Sequence, residues 1–109
     1  MGKVFFGQVG RIKPEKKDVY VDLHKNAWPE ILKVISSCNI KNYSIFIRDN
    51  VVFSYFEYVG EDYEADKKKL AGYNICKKWW EITDPCFVKY DDHSENKDFE
   101  NMERIFYLE

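Results

Sequence analysis

Residues 42–48 and 51–59 are two runs rich in β-branched and aromatic side chains, separated only by Asp49 and Asn50, residue types that tolerate the left-handed backbone of a tight hairpin. Along the first run Tyr43, Ile45 and Ile47 alternate with Ser44, Phe46 and Arg48; along the second Phe53 and Tyr55 alternate with Val52, Ser54 and Phe56. Successive strand side chains point to opposite faces, so both faces of this hairpin carry large apolar groups. A two-stranded ribbon of that kind cannot stand alone in water. One face calls for a layer of helices, and the other for a cover of its own.

The flanking sequence supplies those pieces. Val4–Arg11 is apolar on both faces, with Val4 and Phe6 on one and Phe5, Gly7 and Val9 on the other, which predicts a central strand. Lys13-Pro14 ends it and opens a helix, since proline suits a first turn where its missing N–H is not needed. Within that helix Val19 and Leu23 are spaced to anchor it, with Tyr20 and His24 at the edge of the stripe. Pro29 starts a second helical piece carrying Ile31, Leu32, Val34, Ile35 and Cys38. Glu61–Ala71 reads as a charged helix whose acidic residues precede Lys67, Lys68 and Lys69, an order that suits the helix dipole. Asn74–Thr83 reads as another, capped by Asn74, with Ile75, Trp79 and Ile82 on one stripe, and Pro85 stops it. Residues 90–100 form a polar surface loop in which His93 is solvated, and Met102–Leu108 closes as a last strand.

Strand, helices, hairpin, helices, strand predicts one α+β domain over residues 1–109: a ferredoxin-like antiparallel sheet of four strands with its helices on one face. The apolar second face predicts a homodimer in which two sheets pack against each other as a dimeric α+β barrel.

Histidine is the side chain whose ordinary pKa allows it to give and take a proton near neutral pH. His24 follows Tyr20 by four residues, so on a helix the imidazole and the phenol are neighbours. Trp79 and Trp80 point about 100° apart on a helix, so Trp79 continues the core stripe while Trp80 reaches a cleft or a partner. Trp28 falls at the corner between helical pieces, and Tyr43, entering the hairpin, is a core residue whose hydroxyl needs a partner. Phe, Trp and Tyr make up 17% of the chain, more than a core of this size calls for, and rings with polar tips suit a sugar that presents C–H patches and hydroxyls together. A net charge of −2 without a basic face argues against nucleic acid. No apolar run reaches membrane-spanning length and no signal peptide is visible. Cys38, Cys76 and Cys86 are odd in number, lack a Cys-x-x-Cys pair and have no histidine at ligand spacing, so reduced thiols in a cytoplasmic protein, with no metal site, are expected.

Four stretches carry a resemblance: Tyr20 and His24 followed by Trp28-Pro29-Glu30; Asn42-Tyr43-Ser44-Ile45-Phe46; Cys76-Lys77-Lys78-Trp79-Trp80; and the closing Ile105-Phe106-Tyr107-Leu108. In order and spacing, nearly end to end, the chain resembles the L-rhamnose mutarotase family. The resemblance implies a ferredoxin-like fold that dimerises through its sheets, and an isomerase that interconverts α and β anomers of L-rhamnose or a related monosaccharide without metal or organic cofactor. It implies His24 as catalytic proton donor, with Tyr20, Tyr43, Trp79 and Trp80 contacting the sugar. The chain departs from the family in Asn26-Ala27, where a proline is usual, in the charged stretch 62–69 and in the loop 90–100. Two other readings are a non-catalytic sugar- or metabolite-binding module, and a small monooxygenase or haem-degrading protein of the same barrel class recruiting His24, Asn26 and Trp28.

Overall fold

The computed structural model describes residues 2–109. A long strand β1 (Val4–Ile12) leads through a short turn at Pro14–Lys16 into α1 (Lys17–Lys25) and α2 (Pro29–Ser37). The hairpin follows as β2 (Ile40–Arg48) and β3 (Val51–Tyr58), then α3 (Tyr63–Ala71), α4 (Asn74–Thr83), a turn at Asp84–Cys86, and two short strands, β4 (Phe87–Val88) and β5 (Glu100–Met102). The sheet order is β2-β3-β1-β4, antiparallel throughout, with β5 also on β1. This is the ferredoxin-like arrangement, with the fourth position shared by two short strands.

β1 lies at the centre because it pairs along its length with β3, from Val4↔Tyr58 to Arg11↔Val51. On its other edge Arg11 and Ile12 pair with β4, and Gly7–Val9 pair with β5. Gly10 falls at the join. A Cβ there would stand 2.9 Å from the Phe87 ring and 3.3 Å from Phe99, so only glycine lets both aromatics close over β1.

Between Lys41↔Glu57 and Ser44↔Tyr55 the hairpin register shifts, so Asn42 and Tyr43 oppose the single residue Phe56. That is a β-bulge, and Asn42 takes its left-handed backbone at φ 50°. Asn42 Nδ2 donates to Glu57 Oε1 at 2.9 Å, and the Tyr55 hydroxyl donates to Glu57 Oε2 at 2.8 Å. The extra residue lets Ile40 and Tyr43, an odd number of positions apart, both face the helix layer.

The core has two centres. Ile12, Tyr20, Val52, Cys86 and Phe87 form one; Ile31, Cys76 and Trp79 form the other, with Leu23, Trp28 and Trp80 against it. Several sequence expectations need correction. Tyr20 is buried and Val19 is 47% exposed, because turning α1 this way buries a full aromatic ring in place of a valine. The buried stripe of α4 runs through Cys76, Trp79 and Thr83, with Ile82 outside it. The residue preceding α4 is Tyr73, which makes no side-chain cap, and Asn74 is already helical. α3 begins at Tyr63, two residues later than the sequence suggests, because Asp62 Oδ1 accepts from the Ala65 N–H and fixes its start.

The last strand also differs. It ends at Met102, and residues 103–109 run on without regular structure, so Val4–Phe6 of β1 have no strand partner on that edge. This tail is tied at Arg104, whose guanidinium lies 4.3 Å from the Phe5 ring and 4.5 Å from the Tyr107 ring, while Ile105, Phe106 and Leu108 are exposed. The sheet face away from the helices carries Phe46, 64% exposed, and Phe53, 38% exposed. Both sheet faces are therefore apolar, as the alternation in the hairpin indicated.

Candidate active site

A cavity of about 780 Å³ opens between the sheet and the helices, where the two core centres meet. A narrower recess of about 100 Å³ shares its His24, Tyr43, Trp79, Trp80, Asp84 and Asp98 lining and adds Tyr20.

His24 bridges the two centres. Its ring lies 4.2 Å from that of Tyr20, one turn earlier on α1, and 5.1 Å from the Trp79 ring of α4, which it meets edge-on at 75°. Trp28, at the break between α1 and α2, packs at 86° on Trp79 and so fixes the indole that fixes the imidazole. His24 Nδ1 lies 2.7 Å from the Tyr20 carbonyl oxygen. A carbonyl can only accept, so Nδ1 carries a hydrogen and Nε2 is the nitrogen left for chemistry. Burial pushes the His24 pKa below its usual value, opposed by that hydrogen bond to the Tyr20 carbonyl. The ring is half-buried beside a hollow, the setting an acid/base group requires.

Tyr20 itself is held by core packing, edge-on to Phe87 at 5.5 Å. Burial, with the nearby Tyr43, Cys86 and Asp98, drives its pKa far above the phenol range, so it keeps its proton. The Tyr43 ring packs against Phe56 at 5.3 Å; its edge reaches the surface while its hydroxyl turns inward. That hydroxyl faces Ser54, whose Oγ is buried and makes no hydrogen bond, and burial raises the Tyr43 pKa as well. Trp80 is partly buried and turns its indole to the hollow beside Trp79.

All five residues singled out from the sequence, Tyr20, His24, Tyr43, Trp79 and Trp80, therefore line one connected space. Trp79 is at once core and wall. Sequence reading passed over two carboxylates: Asp84, at the C-terminal end of α4, and Asp98, on the segment leading to β5. Burial and then the neighbouring Asp98 charge raise the Asp84 pKa. The spacing of Asp84 one turn beyond Trp80 was a visible signal; the approach of Asp98, 14 positions further on, was not. His93 is exposed, as expected. Among the described residues no group of three or more His, Cys, Asp or Glu side chains is arranged to hold a metal ion.

Sheet order and helix layer define a ferredoxin-like α+β protein with an aromatic hollow lined by one imidazole. Comparison with known proteins makes the class specific. Residues 6–108 match the profile of the L-rhamnose mutarotase family, and the chain belongs to that family. It is similar to the L-rhamnose mutarotase of Lactiplantibacillus plantarum, 28% identical over 106 residues, covering 97% of this chain and 99% of that one. It is 33% identical over 90 residues to that of Oceanobacillus iheyensis, covering 81% and 84%. Among solved structures, an L-rhamnose mutarotase from Formosa agariphila superposes with a TM-score of 0.73 at 25% identity, covering 97% of this chain and 99% of that chain. A polyketide cyclase from Streptomyces glaucescens, at TM-score 0.59 and 9% identity, shares the fold alone.

Proposed function

We propose that this protein interconverts the α and β anomers of L-rhamnose or a related monosaccharide by opening and closing the pyranose ring, with His24 moving the proton of the ring oxygen. The observation that carries this reading is the His24 imidazole, clamped between Tyr20 and Trp79 with Nδ1 committed to a backbone carbonyl and Nε2 available beside the hollow.

Ring opening needs a proton delivered to the ring oxygen while another leaves the anomeric hydroxyl, giving an open-chain aldehyde that rotates and closes on its other face. General acid–base catalysis supplies about 10²- to 10⁴-fold, or roughly 3 to 5 kcal/mol, and positioning supplies much of the rest. Trp79 and Trp80 wall the apolar side of the sugar, and the Tyr43 and Tyr20 hydroxyls, which keep their protons, donate to its oxygens. No cofactor is called for. Family membership favours neither the non-catalytic binder nor the monooxygenase.

The apolar outer face of the sheet, with Phe46 and Phe53, supports a homodimer formed by packing two such faces together, and three buried free thiols support a cytoplasmic location. Among the described residues no helix is long and apolar enough to cross a membrane. The test of function is anomer exchange over a panel of reducing sugars, followed by saturation-transfer NMR at the anomeric proton. Exchange of L-rhamnose above the buffer rate is the expected result; a buffer-level rate for every sugar refutes the reading. Sedimentation equilibrium tests the dimer, and a stable monomer at micromolar concentration refutes that part.

A further inference from the structure

Anomer exchange has two proton sites, the ring oxygen and the anomeric oxygen, and one imidazole serves one of them at a time. The hollow contains few groups able to serve the other. Tyr20, Tyr43 and Tyr63 hold their protons through burial, and so does the buried Cys76 thiol. Lys67 stands on α3, 5.4 Å from the Tyr63 ring, and does not line the recess that His24 shares with Asp84 and Asp98. Asp84 and Asp98 remain, and both line the cavity and the recess together with His24.

Their placement is built, not incidental. Asp84 ends α4, whose Trp79 touches His24, so one helix sets imidazole wall and carboxylate together. Asp98 is placed by its neighbour Phe99, whose ring lies 5.2 Å from Phe87 in the core, and Asn96 Nδ2 donates to the Phe99 carbonyl at 3.2 Å. No ion pair joins His24 to either carboxylate among the described residues.

We propose that Asp84, with Asp98 beside it, is a second catalytic residue, carrying the proton of the anomeric hydroxyl while His24 serves the ring oxygen. His24 Nε2–H gives its proton to the ring oxygen, and the bond from that oxygen to the anomeric carbon breaks with its electron pair going to the oxygen. The Asp84 carboxylate takes the anomeric hydroxyl proton as the C=O forms. After rotation about the bond between the anomeric carbon and its neighbour, closure returns both protons: Asp84 to the new hydroxyl, the ring-oxygen proton to His24. The pair holds one proton at the start and one at the end, and no co-reactant is needed. The assignment rests on the mutarotase reading above.

Activity should then follow a bell in pH, with an acid limb belonging to Asp84 and an alkaline limb to His24. Facing His24 are Tyr20 of its own helix and Trp79; facing Asp84 is Asp98; Tyr43 and Cys86 complete the titratable groups at this junction, with Lys13 and Lys16 facing Cys86. Removing the Asp98 charge makes Asp84 ionise more readily, so its limb moves to lower pH.

The experiment measures kcat/KM for L-rhamnose anomer exchange against pH in the wild-type chain, Asp84→Asn and Asp98→Asn, each checked for native circular dichroism. The expected result is a loss of tenfold or more in Asp84→Asn with its acid limb gone, and an acid limb displaced to lower pH in Asp98→Asn. A smaller loss, or an acid limb kept by Asp84→Asn, overturns the proposal. If Asp84→Asn does not fold, Asp98→Asn decides: a displaced limb supports Asp84, while an unmoved or abolished limb overturns it. A wild-type chain without exchange on any sugar fails earlier, at the mutarotase reading itself.

Discussion

Replacing Tyr20 by Phe separates two roles that the same residue could have, sugar contact and proton shuttle. The substitution keeps the aromatic ring that packs 4.2 Å from His24 and 5.5 Å from Phe87, and the His24 Nδ1 hydrogen bond goes to the Tyr20 backbone carbonyl, which is unchanged. Only the hydroxyl at the recess is lost. Burial holds the phenol's proton so firmly that it can donate a hydrogen bond but not ionise. A neutral hydrogen bond contributes about 0.5–1.5 kcal/mol, so kcat/KM should fall by about 2- to 13-fold. A proton shuttle would instead cost about 10²- to 10⁴-fold. The assay is saturation transfer between the two anomeric protons of L-rhamnose, with the uncatalysed rate subtracted and folding verified by thermal denaturation. A loss of a hundredfold or more in a folded Tyr20→Phe chain would show that the phenol moves protons, and would refute the reasoning from its burial.

Other expectations follow from the same geometry. His24→Ala should lower anomer exchange by about 10²- to 10⁴-fold while the chain still melts cooperatively, as read by NMR and circular dichroism. Because burial lowers the His24 pKa, the imidazolium that donates to the ring oxygen is lost as pH rises through a value below 6.5. The exchange rate should accordingly be higher at pH 6 than at pH 8 in a pH-rate profile. Gly10→Ala places a methyl group 2.9 Å from the Phe87 ring and should destabilise the protein by about 1–3 kcal/mol in urea titration, the usual range for overpacking.

The parts of the fold that could be read from the sequence were those with a local period. The alternation around Asp49 and Asn50 gave the hairpin, and the prolines at 14 and 29 marked the helix starts. What could not be read depends on contacts between distant segments. Whether α1 buries Val19 or Tyr20 is decided by Phe87 and Trp79, which wait on the other side of the domain. The bulge at Asn42 that turns Tyr43 inward rests on Glu57 across the hairpin. Ile105 to Leu108 reads as a strand in the sequence, but pairing with β1 stops at Gly7↔Met102, and beyond it Arg104 lies against the Phe5 and Tyr107 rings. Of the site, Tyr20 and His24 were legible because they stand one helical turn apart on α1, and Trp79 and Trp80 as adjacent indoles on α4; Asp98 was not, because the packing of Phe99 carries it there.

The divided fourth position of the sheet has a consequence for how such a protein can change. β4 and β5 are each registered on β1 by their own backbone pairing, and the segment between them is tied back near its two ends, where Arg11 Nε donates to the Tyr90 carbonyl and Phe99 packs on Phe87. That connector ends beside the hollow, where Asp98 and Phe99 line the recess. New polar side chains can be tried over the substrate there by lengthening, shortening or rewriting one ribbon, with the scaffold and the imidazole left as they are.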